Sequence, residues 1–287
     1  MKLTEILHAG KPTLSFEVFP PKTTDKLDSV KSATEKIAEA RPAFMSVTYG
    51  AGGSTGGLTL EIARNIQDTY GVPVLAHLTC VMATPEGLDG QLSRMRSLGL
   101  ENVMALRGDI PEGSAPVEEW PFRHASDLIT YIRSKGDFCI GGACYPEGHP
   151  ESSSQKEDIR NLKRKVDAGC DFLTTQMFFD NNILYNFLYK IRETDIRVPV
   201  LAGIMPVTNG RQIARICRIS GNTLPPRFKQ IIDRFGDDHR AMKQAGIAFA
   251  TEQIIDLLAN GVEHIHVYSM NKPEVAGRIL DNLSDIL

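Results

Sequence analysis

The chain has 287 residues, 42% hydrophobic and 23% charged, with a formal net charge of −3. That is a packed globular composition, too apolar for a disordered chain. The densest basic run, Lys163-Arg164-Lys165, follows Glu157 and Asp158, so there is no nucleic-acid footprint. Five cysteines, an odd number without a C-x-x-C pair, argue against a disulfide framework or zinc cluster and fit reduced thiols in the cytoplasm. Residues 1–11 hold no signal-peptide core, and no apolar run reaches the ~20 residues of a membrane span.

Eight apolar or β-rich runs follow in chain order: Thr13–Phe19, Phe44–Tyr49, Val72–Cys80, Asn102–Arg107, Phe138–Tyr145, Phe172–Met177, Val198–Met205 and Glu263–Ser269. Helical periodicity separates most of them, as in Val30, Ala33, Ile37 and Ala38, or Ile159, Leu162 and Val166. Strand then helix, repeated, means parallel strands with crossover helices. Eight units predict a (β/α)8 TIM barrel forming one domain over residues 1–287, with an open doubly wound sheet as the competitor. The gap from Arg211 to Ala259 is too long for one helix, and Pro225-Pro226 places an extra helix at about 226–235 before the last crossover helix.

In such a barrel the chemistry sits at the C-terminal strand ends. Seven of the eight run ends here are polar or ionisable. Strand alternation puts Ser15 and Glu17 on the inward face. A carboxyl there, beside aromatic neighbours, is desolvated and holds its proton to higher pH, as a general acid needs. Pairing with Lys22 or Arg107 is the structural alternative. In Arg107-Gly108-Asp109, the glycine admits close backbone approach and the arginine offers a planar fork to a phosphate or carboxylate; a salt-bridged loop would look the same. The glycine-rich loop 50–57 fits neither G-x-G-x-x-G nor G-K-[ST]. Ser154 and Glu157 form a capping box at the start of the helix after the fifth run. Asp158, Asn161 and Lys165 make a polar stripe along that helix, either a ligand grip or a solvated face. His264 and His266 share a face of the last run, but no usual zinc set accompanies them, so no metal is assigned. No lysine ends an interior strand as a Schiff-base aldolase requires.

The segments SFEVFPPK (15–22), VTYGAGGST (47–55), HLTC (77–80), ALRGDIP (105–111), YPEGHPE (145–151), NLKRKVDAGCDFLTTQMFFD (161–180) and AGIMPVTNGRQ (202–212) resemble the methylenetetrahydrofolate reductase family in order along nearly the whole chain. There is no room for the regulatory domain of eukaryotic members, so the chain looks like the bacterial, catalytic-domain-only form. The resemblance implies FAD-dependent, ping-pong reduction of 5,10-methylenetetrahydrofolate to 5-methyltetrahydrofolate by NADH or NADPH in a cytoplasmic homo-oligomer. It makes Glu17 the acid that helps open the folate's five-membered ring, and Asp109 the carboxylate near flavin and pterin. Gln176, Gln212 and Lys272 fall at substrate-binding positions. Cofactor-binding positions are Thr48, Tyr49, Ala51, His77, Arg107, Gly108, Asp109, Ala125, Tyr145, His149, Asp158, Asn161, Arg164 and Lys165. Ile216 stands where some members place a Phe, near the nicotinamide site, which leaves the electron donor open. A flavin-free pterin methyltransferase and a non-catalytic flavin-binding subunit are the rival functions. The pathway, methionine biosynthesis or reductive carbon fixation, is open too.

Overall fold

The computed structural model describes residues 1–21, 26–49 and 56–287. Lys22, the 50–55 part of the glycine-rich loop and the cofactor position Ala51 lie outside the described residues. The strands are β1 (Thr13–Val18), β2 (Met45–Val47), β3 (Val74–Thr79), β4 (Asn102–Leu106), β5 (Cys139–Cys144), β6 (Phe172–Thr175), β7 (Val200–Ile204) and β8 (His264–Tyr268). All pair in parallel with their sequence neighbours, and β1 pairs with β8 to close the barrel. Closure rules out the open sheet.

The helices are α1 (Leu3–Leu7), α2 (Leu27–Glu39), α3 (Gly56–Tyr70), α4 (Pro85–Ser97), α5 (Ala125–Lys135), α6 (Gln155–Asp167), α7 (Asn181–Glu193), α8 (Gly210–Ser220), α9 (Pro226–Phe235), α10 (His239–Ala259) and α11 (Pro273–Leu283). Their starts follow local chemistry. The Asp180, Asn209 and Asp238 side chains accept from backbone N–H groups of α7, α8 and α10. Proline opens α4 and α9, where its missing N–H costs nothing. α11 packs against both α10 and α2, completing the outer ring.

Outward strand residues such as Leu14, Phe16, Val103 and Ile265 meet apolar helix faces in the main core. The inward residues divide by height. Toward the N-terminal strand ends, Phe44, Leu75, Met104, Phe172 and Leu201 pack with Leu3 and Leu7 of α1, which plugs that end. Above them the interior turns polar, with Ser15, Glu17, Ser46, His77 and His266. A third cluster lies by the β6 and β7 ends, where Met177, Phe179, Val207, Ile213, Phe228 and Met242 pack α8, α9 and α10 together; Ile216 rests against it.

Candidate active site

Glu17 sits at the end of β1 with its side chain 20% exposed. Its Oε2 lies 3.6 Å from His77 Nε2 and 4.0 Å from His266 Nε2. Burial pushes its pKa up to about 7. Both imidazoles are driven neutral by burial, His77 to about 4 and His266 to about 3, so neither offsets a carboxylate charge. The alternative partner Arg107 is engaged elsewhere, donating two hydrogen bonds to Glu151 at 2.5 and 2.7 Å.

A cavity of about 280 Å³ opens beside β4 and β5. Among its lining residues are Arg107, Ala125, Tyr145, His149, Asp158, Asn161, Arg164 and Lys165. Two strand ends and two helices bring these together. Arg107 follows β4, Tyr145 and His149 follow β5, Ala125 opens α5, and the rest project from α6. The Tyr145 and His149 rings meet edge to face at 4.6 Å. His149 Nδ1 accepts from the Glu151 N–H at 3.1 Å, which puts a neutral ring's proton on Nε2. Burial raises the Asp158 pKa and pushes the Tyr145 phenol up to about 12.

The α6 stripe is therefore a cavity wall, with two corrections to the expected detail. Lys165 does not point freely into the cavity: its ammonium donates to the Ala143 carbonyl, and burial lowers its pKa. Gly142 makes this reach feasible, because a Cβ there would lie 2.8 Å from Lys165 Cδ. The capping box is only half formed. Ser154 accepts from the Glu157 N–H, but the Glu157 carboxylate takes the Ser153 N–H and hydroxyl instead of returning to Ser154.

The other expected positions lie around the same face of the barrel. Thr48 N–H donates to the Val18 carbonyl, and the Tyr49 hydroxyl accepts from Gln91. Gly108 has φ +90, and a Cβ there would meet Val81 at 2.8 Å, so only glycine fits without strain. Asp109 is exposed just beyond it. Gln176 follows β6 and its Oε1 accepts from the Met177 N–H. Gln212 is exposed on α8, and Lys272 at the start of α11 donates to Thr208 Oγ1. Thr48, Tyr49, His77, Asp109, Gln176, Gln212 and Lys272 are not in the cavity lining.

Some polar residues at this end escaped the sequence reading. Glu151 stood in the YPEGHPE segment without a role, yet it occupies the Arg107 fork. Ser46 lies mid-strand in a three-residue β2, where nothing in the pattern marks it. His266, a polar strand end and one half of the H-x-H pair in sequence, bridges Ser15 and Ser46. No group of three or more His, Cys, Asp or Glu that could hold a metal occurs among the described residues, and no described helix is long and apolar enough to cross a membrane.

A family model described as methylenetetrahydrofolate reductase matches residues 2–284. Methylenetetrahydrofolate reductase (NADH) 1 of Arabidopsis thaliana is 38% identical over 295 residues, covering 98% of this chain and 50% of that protein. The 5,10-methylenetetrahydrofolate reductase of Escherichia coli (strain K12) is 35% identical over 274 residues, covering 96% of this chain and 91% of that one. The chain thus spans about half the length of its plant relatives and nearly all of the bacterial one. A solved structure of an uncharacterized protein from Clostridium thermocellum, described as binding two copies of 5-methyl-5,6,7,8-tetrahydrofolic acid, superposes with a TM-score of 0.65 at 14% identity. It covers 100% of this chain and 99% of that one, a likeness of fold.

Proposed function

The chain belongs to the methylenetetrahydrofolate reductase family, and from that premise we propose that it reduces 5,10-methylenetetrahydrofolate to 5-methyltetrahydrofolate with FAD as carrier and NADH as donor. The observation that carries the reading is Glu17, a carboxyl whose pKa is raised to about 7 at the C-terminal mouth of the barrel. A group with that pKa still holds a proton near neutral pH and gives it up readily, which is what a general acid requires. The names of the plant relatives favour NADH over NADPH.

The cavity at β4 and β5 suits a dinucleotide's diphosphate and ribose. Arg107 and Arg164 supply fixed cations, and His149 and Asn161 supply polar contacts. The start of α5 at Ala125 and Ser126 adds the favourable end of a helix dipole. The small side chains of Ala125 and Ala143 leave the room. Bound there, FAD would carry two electrons and a proton from the nicotinamide to the folate in two separate half-reactions.

The protein's own groups do the rest. Glu17 donates its proton to a ring nitrogen of the folate, helping the five-membered ring open to the iminium that accepts hydride. Asp109, exposed beyond Gly108, is free to accept hydrogen bonds from the pterin. Gln176, Gln212 and Lys272 would orient the folate from β6, α8 and α11. We place the protein in the cytoplasm, in keeping with its five free cysteines, and as a homo-oligomer.

The first test is the visible spectrum after incubation with FAD. Flavin bands that bleach anaerobically with NADH and recover with methylenetetrahydrofolate support the reading. A protein that stays colourless overturns the flavin reading, as the flavin-free pterin methyltransferase would predict. Glu17→Gln should keep the NADH half-reaction and slow the folate half-reaction by roughly 10²–10⁴. Equal loss in both would make Glu17 structural.

A further inference from the structure

The groups around Glu17 form a chain whose donors and acceptors can be counted. The Ser15 hydroxyl donates to the Ile265 carbonyl at 3.0 Å. Its oxygen must therefore meet His266 Nδ1, 2.7 Å away, as an acceptor. Nδ1 then carries the single proton of the neutral ring, and Nε2 is left with a lone pair. The ring is 2% exposed and stacked on Phe44 at 5.7 Å, so its orientation is fixed.

Ser46 Oγ lies 3.1 Å from that Nε2 and 3.5 Å from Glu17 Oε2. One hydroxyl has one proton to give. The nearer acceptor takes it, because the 3.1 Å bond to Nε2 is the stronger of the two, and the 3.5 Å contact to Glu17 stays within reach but weak. A hydrogen bond to a carboxylate favours the ionised form, so the direction of this one proton matters to Glu17.

We propose that Ser15, His266 and Ser46 are positioning residues that turn the Ser46 hydroxyl away from Glu17 and thereby keep its carboxyl in the proton-bearing form. The proposal rests on the reading of Glu17 as the acid and adds how that acid is kept loaded. When the Glu17 O–H bond breaks and the proton forms an N–H bond on the folate, Ser46 is close enough to turn toward the new carboxylate.

The other titratable groups facing Glu17 do not substitute for this control. His77 on β3 and His266 on β8 are neutral through burial. Tyr268 on β8 holds its proton and gives it to the Thr175 carbonyl at 2.5 Å. β2 contributes only Ser46. Among the described residues, no lysine or arginine pairs with Glu17.

The test follows the Glu17 carboxyl by infrared spectroscopy across pH, in the full-length protein with its bound cofactor and without substrate. The protonated-acid band is assigned by its loss in Glu17→Gln. His266→Phe keeps the ring stack but removes the lone pair, so the titration midpoint should fall by about one pH unit as Ser46 turns to Glu17. Adding Ser46→Ala to His266→Phe should return it to the wild-type position or above. An unmoved midpoint in the single variant, or no reversal in the double, overturns the proposal.

Ser46→Ala alone gives a second check that needs no change at His266. A midpoint near wild type agrees with a hydroxyl already withheld; a rise of about one unit means that Ser46 serves Glu17 directly, and the proposal fails. These titrations need no turnover. A protein that does not reduce folate would overturn the functional reading and still report on the Ser46 proton.

Discussion

Glu17 pays for its reactivity in stability, and the sign can be worked out. Its folded pKa of about 7 lies above the ordinary 4.5. Between those values the unfolded chain ionises while the folded one stays protonated, so this residue's contribution falls as pH rises through the window and is level beyond it. His77 and His266 act oppositely, because their pKa values are lowered to about 4 and about 3. Each loses stability as pH falls from 6.5 toward its folded value. Replacing Glu17 isolates one side of that balance. Glu17→Gln should match wild type in urea unfolding at about pH 4 and exceed it at about pH 8, by at most on the order of 3 kcal/mol. A difference independent of pH would mean that Glu17 does not titrate in this range. Period-two alternation in TLSFEV was enough to put Ser15 and Glu17 on the inward face. The partners of Glu17 were not legible, because Ser46 and His266 lie 29 and 249 positions away and meet it only when β1 pairs with both β2 and β8.

The elements around the cavity are joined across its rim by one ion pair. Arg107 after β4 and Glu151 before α6 meet as two parallel forks, which holds the Glu151 pKa down and the Arg107 pKa up. Glu151 is more than half exposed, so the pair contributes little to folding. Its larger effect is on the cavity, where a carboxylate occupies the fork that would receive a cofactor phosphate. Glu151→Gln should therefore tighten FAD binding roughly threefold to tenfold, read by quenching of flavin fluorescence. Weaker binding would show instead that Glu151 holds Arg107 in its productive pose. At this scale the sequence was informative about faces and less so about reach. The stripe on α6 was visible from helical spacing, and Asp158, Asn161 and Lys165 do line one cavity. Where the Lys165 ammonium goes was not visible, since it depends on Gly142 of a neighbouring strand leaving space for its stem.

For the molecule as a whole, closure of the barrel separates two tasks along one axis. The C-terminal mouth gathers polar groups that favour reaction over stability, and the opposite end must compensate with dense apolar packing. That end is sealed by α1, whose Leu3 and Leu7, four residues apart, point into the ring of Phe44, Leu75, Met104, Phe172 and Leu201. Asn102 fixes the plug by accepting from the Leu3 N–H at 2.8 Å and donating to the Met1 carbonyl at 3.2 Å. A helix of five residues is too short to leave a periodic signature and has no stability of its own, which is why the sequence reading passed over it. Its role comes from the interior it covers. Leu3 is fully buried, so Leu3→Ala removes apolar contacts at the plug and leaves a cavity, at a cost of about 2–5 kcal/mol in unfolding free energy. The mouth should not register the change, because effects at separated sites without shared partners add independently. FAD affinity and the Glu17 titration should both match wild type in the same variant. A loss below about 1 kcal/mol would mean that α1 frays without disturbing the barrel, whereas a shifted Glu17 titration would mean that the packing at one end sets the electrostatics of the other.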